Sequence, residues 1–227
     1  MTQWIGGMGI IVLTVAIFPL LGIGGIELFV AESPGPTSDK IHPIIKETAK
    51  RLWLIYFILT FAEFFLLKIA GMTWFDAINH AMATMSTGGF STKNASIAHY
   101  DSFPLIQYII IIFMFIAGAN FVLTYFALKG KISKVFKSEE FKYYFFGTIG
   151  ITLLITFLIV NYQDLNLATS INHSKDWGET ESAFRHAAFS VVSVLTTTGF
   201  VSADFTMWNS MVTAIIFSLF FIGGSAG

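Results

Sequence analysis

Met85-Ser86-Thr87-Gly88-Gly89-Phe90-Ser91 matches Leu195-Thr196-Thr197-Thr198-Gly199-Phe200-Val201, 110 positions further along the chain. At the same offset Trp74 falls on Phe184 and Ala77 on Ala187. One Thr-Gly-Gly-Phe is a turn in most proteins, but two copies in matching surroundings are an internal repeat. Each copy is uncharged and follows a moderately apolar helical piece, residues 72–85 and 181–195. Both pieces fall short of the ~20 residues that cross a bilayer. Non-helical backbone at membrane depth is tolerated only where it is buried in protein or lines a wet cavity. The pattern therefore predicts two re-entrant loops.

The rest of the chain places these loops in a membrane. Of 227 residues, 55% are hydrophobic, 16% aromatic and only 12% charged. A soluble domain carries roughly 25% charged residues. An ordinary soluble enzyme and a disordered chain are excluded on that ground. A net charge of -1 offers no general attraction to nucleic acid. The absence of cysteine removes disulfides, thiolate catalysis and cysteine-based zinc sites.

Five apolar stretches are long enough to be membrane helices: about 4–26, 52–70, 101–129, 142–164 and 205–227. Runs such as Ile109-Ile110-Ile111-Ile112-Phe113 do not alternate, which excludes barrel strands. The N-terminal run has no basic start and is too long and glycine-rich for a signal peptide. Lys129, Lys131, Lys134, Lys137 and Lys142 mark one loop as cytoplasmic, and Lys40, Lys46, Lys50 and Arg51 mark another. The stretch 161–181 carries Lys175 against Asp164, Asp176, Glu179 and Glu181, and is expected outside. The five helices then run in, out, in, out and in. Both re-entrant loops fall on the external side.

The loop chemistry suits a bare monovalent cation. Rings of backbone carbonyls can replace an ion's water shell. Pointing successive carbonyls at one axis needs unusual dihedrals, which glycine adopts without Cβ strain. Threonine and serine add hydroxyl oxygens, and the phenylalanine after the glycine can wedge the loop against surrounding helices. The short helices aim their negative C-terminal ends at the cation.

These residues resemble the Trk/Ktr/HKT superfamily of K⁺ transporters, in particular its bacterial TrkH branch. Residues 85–92 resemble the second selectivity filter of that family. Thr196-Thr197-Thr198-Gly199-Phe200, followed by Ser202-Ala203-Asp204, resembles the third. Trp4-Ile5-Gly6-Gly7-Met8-Gly9 resembles the start of the helix after the first filter. Gly223-Gly224-Ser225-Ala226-Gly227 resembles the glycine-rich break in the helix after the third.

The resemblance implies an all-α integral membrane fold of helix–pore loop–helix repeats, like a K⁺ channel. Residues 1–47 are then the end of repeat one, 48–140 repeat two, and 141–227 repeat three with its last helix truncated. The first and fourth filters and the family's pore-facing arginine are missing, so the chain looks like the middle of a longer transporter. The ion-binding residues carried over are Thr87, Gly88, Gly89, Thr197, Thr198 and Gly199, supported by Ser86, Phe90, Thr196 and Phe200. Glycine at positions 89 and 199 goes with K⁺ preference in the family, and serine there with Na⁺. Gly223, Gly224, Ser225, Ala226 and Gly227 form the candidate gate. The implied setting is the bacterial inner membrane, with lipid, K⁺ as the transported ion, a homodimer and a cytoplasmic nucleotide-binding regulatory subunit as partners. No cofactor, transition metal or nucleic acid is implied. Two rival expectations are a two-filter cation channel subunit that dimerises and a non-conducting assembly module. The first would show a Thr-Val-Gly-Tyr-Gly pattern, which neither loop has.

Other residues have plainer readings. Glu63 is expected to be a satisfied structural carboxylate, with Lys68 snorkelling to the outer surface. Asp76, His80 and His186 are expected to orient the short helices rather than hold a metal. Arg185 is expected to pair with an external acid or a lipid headgroup. Asp204 either concentrates cations at the mouth or anchors its loop. Gly118 and Asn120 interrupt the third helix, and Asn120 is expected to bond across helices. No nucleophile elbow, phosphate-binding loop or His-Glu-x-x-His motif is present, so no enzyme is expected.

Overall fold

The computed structural model describes residues 2–7, 45–128, 130, 132–162 and 178–222. Among these, every regular element is helical. In chain order they are α1 (Thr2–Gly6), α2 (Ile45–Ile69), α3 (Trp74–Met85), a 3-10 helix (Ser96–Tyr100), α4 (Pro104–Ala117), α5 (Phe121–Leu128), α6 (Ile132–Lys137), α7 (Glu139–Tyr162), α8 (Glu179–Leu195), a second 3-10 helix (Phe205–Met207) and α9 (Ser210–Leu219).

Among the described residues, two spans are long and apolar enough to cross a membrane, Leu52–Ile69 and Glu139–Asn161. Each also carries large apolar side chains that face outward. Phe57, Ile58, Phe61, Phe65 and Ile69 on α2 are exposed, as are Tyr143, Phe146, Leu153 and Phe157 on α7. Apolar surface on that scale belongs in lipid or a partner interface rather than in water.

The third apolar stretch is two helices, interrupted where Gly118 and Asn120 were expected to interrupt it. α4 ends at Ala117 and α5 begins at Phe121, with the break at Gly118-Ala119-Asn120. Gly118 caps α4, its N–H reaching the Met114 and Ile116 carbonyls. Pro104 starts α4, where a missing N–H costs nothing. α2 extends back to Ile45, so the basic stretch before the apolar run is already helical. The first expected span and residues 223–227 lie almost wholly outside the described residues.

The short helices match the pieces expected from sequence. α3 is 12 residues long and α8 is 17. Thr73 caps α3, accepting from the Asp76 N–H at 3.1 Å while its hydroxyl donates to the Asp76 carboxylate at 2.8 Å.

Each repeat has its own core. One cluster joins α2, α3 and α4 through Tyr56, Leu67, Ala77, Ala81, Met85, Ile110 and Met114. The other joins α7, α8 and α9 through Ile155, Ile159, Ala187, Val191, Val212 and Ile216. Phe189, Val192 and Phe200 from the second repeat enter the first core. α8 packs directly on α4, which brings the ends of α3 and α8 together.

Candidate functional site

The two loops begin with the same backbone device. Ser86 donates its N–H to Met82, Thr87 to Thr84 and Gly88 to Ala83. Thr196 donates to Val192, Thr197 to Val194 and Thr198 to Ser193. These are Schellman ends, which normally place glycine in the left-handed position. Here that position is Thr87 at φ +48° and Thr197 at φ +56°. A β-branched residue there is strained. Two residues on, Gly89 at φ +63° and Gly199 at φ +81° return to the left-handed region. The caps also match: Ser86 Oγ donates to the Met82 carbonyl and Thr196 Oγ1 to the Val192 carbonyl, both at 2.8 Å.

The loops lie against each other. A Cβ at Gly89 would fall 2.1 Å from the Thr198 carbonyl oxygen and 2.9 Å from the Gly199 carbonyl carbon. Only a residue without a side chain fits there. A Cβ at Gly88 would meet the Gln3 side chain at 2.6 Å, so α1 lies along the first loop. Trp4 holds α1 in place: its Nε1 donates to Thr60 Oγ1 at 3.1 Å and its carbonyl accepts from the Tyr56 hydroxyl at 3.1 Å.

The described loop residues Ser86–Phe90 and Thr196–Phe200 carry no ionised side chain. Both α3 and α8 end at their loops, presenting helix C-termini that favour a cation.

The phenylalanines expected as wedges differ. Phe200 is 3% exposed and lies 5.9 Å from the His80 ring. Phe90 is 70% exposed, so it wedges nothing among the described residues. The reason is position: Phe200 points back into the core of the preceding repeat, whereas Phe90 faces away from both described cores.

Asp76, His80 and His186 are hydrogen-bonded as expected, but their partners in the residues after the loops were not read from sequence. Asp76 accepts from Thr92 Oγ1 at 2.5 Å and pairs with Lys93 Nζ at 3.3 Å. His80 Nδ1 meets the Asp76 carbonyl at 2.7 Å and its Nε2 meets Ser91 Oγ at 2.8 Å. In the second copy, His186 Nδ1 meets Ser202 Oγ at 3.1 Å. The shared offset supplied the missed signal, since it puts His186 on Asp76 and Ser202 on Thr92. Burial would raise the Asp76 carboxyl, yet hydrogen bonds from Thr92 and Thr73 and the Lys93 ammonium beside it hold it well below the usual carboxylate range.

Arg185 finds an acid within the chain. It is fully buried, with Nη1 2.8 Å from Asp101 Oδ1 and Nε 3.0 Å from Glu181 Oε1. Gln107 also accepts from Arg185 Nη1. His186 Nε2 reaches the same Asp101 oxygen at 3.2 Å.

Asp204 anchors its own loop, accepting from the Thr206 N–H at 3.0 Å and its hydroxyl at 2.6 Å. Glu63 departs from expectation. It is fully buried, and neither carboxyl oxygen has a hydrogen-bond partner among the described residues. Lys68 instead donates to the Met72 carbonyl at 3.2 Å and sits 5.1 Å over the Trp74 ring. A five-residue spacing does not put the two on one helix face. Gly118 at the α4 break abuts the second loop: a Cβ there would fall 2.4 Å from Thr196 Cγ2. The candidate gate, Gly223 to Gly227, lies outside the described residues.

The TrkH family, described as cation transport protein, matches residues 1–227. The chain is 43% identical over 229 residues to the Trk system potassium uptake protein TrkH of Escherichia coli (strain K12), covering 100% of this chain and 45% of that protein. It is 32% identical over 229 residues to TrkG of the same organism, covering 99% and 44%. The crystal structure of the potassium transporter TrkH from Vibrio parahaemolyticus superposes with a TM-score of 0.72 at 36% identity, covering 99% of this chain and 44% of that one. The chain thus spans about half the length of the curated relatives it matches. Those relatives are named as uptake proteins, not enzymes, and no cofactor is named with them. Matched from end to end, the chain belongs to the TrkH family of cation transport proteins.

Proposed function

We propose that this chain is a partial pore-forming subunit for K⁺ uptake, with the two loops as carbonyl-lined selectivity filters. The observation that carries the reading is the matched backbone at Thr87/Gly89 and Thr197/Gly199, left-handed at alternate positions in loops that touch. Alternating handedness turns successive carbonyls toward one side, as a dehydrated ion requires. Thr87, Gly88, Gly89, Thr197, Thr198 and Gly199 would contact the ion. Ser86, Thr196 and Phe200 would hold the loops, and Gly223 to Gly227 would gate below them.

The repeat boundaries at 47/48 and 140/141 follow from this reading, as do five spans, two re-entrant loops and a multi-pass place in the bacterial inner membrane. With no phosphate-binding loop motif in this sequence, inward flux would draw on the membrane potential, worth roughly 2.3 kcal/mol per charge per 100 mV. A homodimer and a cytoplasmic nucleotide-binding regulator contacting the 129–142 loop complete the assembly.

The test is growth and K⁺ uptake at low external K⁺ in uptake-deficient cells that express the open reading frame carrying this chain. Restored uptake supports the reading. Verified membrane insertion with no uptake favours the non-conducting module.

A further inference from the structure

The two loops are pinned differently, and the difference falls on one short segment. In the first repeat the residues after the loop are held from within. Asp76 takes Thr92, and His80 takes Ser91. At the offset of 110, Asp76 becomes His186 and Thr92 becomes Ser202, and that pin persists. His80 becomes Ser190 and Ser91 becomes Val201, which has no hydroxyl to bind. The second pin is lost from the side chains of the second repeat.

Residues 96–101 of the first repeat replace it. The Val201 N–H donates to Ser96 Oγ at 3.2 Å, and its carbonyl accepts from the Ala98 N–H at 3.0 Å. At the other end of the same segment, Asp101 Oδ1 holds Arg185 Nη1 at 2.8 Å and meets His186 Nε2 at 3.2 Å. Arg185 and His186 lie on α8, which leads into the loop, whereas Val201 leads out of it. His186 in turn meets Ser202. The helix that leads into the second loop and the residue that leaves it are therefore both tied to one segment of the neighbouring repeat. Ser96 takes a left-handed φ of +54° to reach its place, and Arg185 is fully buried in reaching Asp101.

We infer that residues 96–101 brace the second filter, with Asp101 and Ser96 as positioning residues for its ion selectivity. The inference rests on the filter reading above. The brace touches no ion. It fixes the position of α8, held at Arg185 and His186, relative to Val201, and so the space in which Thr196–Phe200 must curve between them. Carbonyl cages discriminate ions through oxygen number and placement, so a loosened support changes selectivity before it stops flux. The first filter, pinned by its own Asp76 and His80, does not need the brace.

The experiment compares K⁺ and Na⁺ uptake by uptake-deficient cells expressing the wild-type reading frame, Asp101→Asn or Ser96→Gly. Asp101→Asn keeps shape and removes the charge. Ser96→Gly removes the hydroxyl and relaxes the left-handed backbone, so it keeps the fold even where Asp101→Asn does not. K⁺ uptake is expected to persist in Ser96→Gly, with K⁺-over-Na⁺ discrimination reduced several-fold. In Asp101→Asn the reduction is about tenfold, within the range that ångström-scale misplacement produces. A selective wild type with discrimination unchanged in both variants, whatever the amount of protein, overturns the brace and leaves the filter reading standing. A wild type that takes up K⁺ without preferring it to Na⁺ overturns the filter reading, and the brace with it.

Discussion

Gly89 and Thr198 stand so close that a methyl group on the first would lie 2.1 Å from the carbonyl oxygen of the second. The contact joins loops 110 residues apart in the chain. It makes Gly89→Ala a severe change for two reasons: the added Cβ overlaps backbone, and the φ of +63° is costly for alanine. Loss of K⁺ uptake and a melting temperature lowered by several degrees are expected. A variant with normal melting and uptake would show that the loops separate freely.

Thr197 should respond in the opposite sense. Its left-handed φ of +56° stores strain of about 1–2 kcal/mol, which glycine would release. Thr197→Gly is expected to raise the melting temperature while lowering K⁺ discrimination, because the loop loses both a hydroxyl and its stiffness. Thermal melting and paired K⁺ and Na⁺ uptake check the two halves separately.

The phenylalanines separate packing from position. Phe200 is buried, and Phe200→Ala should cost about 3–5 kcal/mol. Phe90 is exposed, and Phe90→Ala in this chain should stay within about 0.5 kcal/mol. Denaturant unfolding of the purified chain in detergent reads both.

Arg185→Ala would leave Asp101 buried without its cation. Breaking such a pair costs about 3–5 kcal/mol. Arg185→Lys should recover part of that loss, because one ammonium can still reach Asp101 although it cannot also span Glu181 and Gln107. Melting of the three proteins side by side tests the order wild type, lysine, alanine.

The Asp76 carboxyl is held below its ordinary value of 3.8. A depressed carboxylate stabilises the fold above its unfolded value, and that stability is lost as pH falls through the folded value. This group should therefore contribute a constant stability from neutral pH down to about 5, and a falling one below about 4. Removing Asp76 by Asp76→Asn should flatten part of the acid limb. An unchanged limb would mean that other carboxylates govern it.

Much of this was legible in the sequence, for physical reasons. The short helices were visible because apolar stretches end at small polar residues and glycine, and α3 and α8 begin within two residues of the expected starts. The α4 break was legible from Gly118 and Asn120. Arg185 and Asp101 are 84 positions apart, and nothing local announces their pairing. Phe90 and Phe200 look equivalent in sequence, and only the packing of one repeat on the next tells them apart. Glu63 shares a helix with Lys68, but spacing alone could not show that Lys68 turns to the Met72 carbonyl instead.

The central claim is that peptide oxygens of these two loops select the ion, and the most direct test is K⁺ against Na⁺ uptake by the reading frame carrying Gly199→Ser. At φ +81° a serine strains the backbone and disturbs the carbonyls on either side. The account predicts that K⁺ uptake weakens relative to Na⁺ and discrimination collapses. Full K⁺ preference in that variant would contradict it.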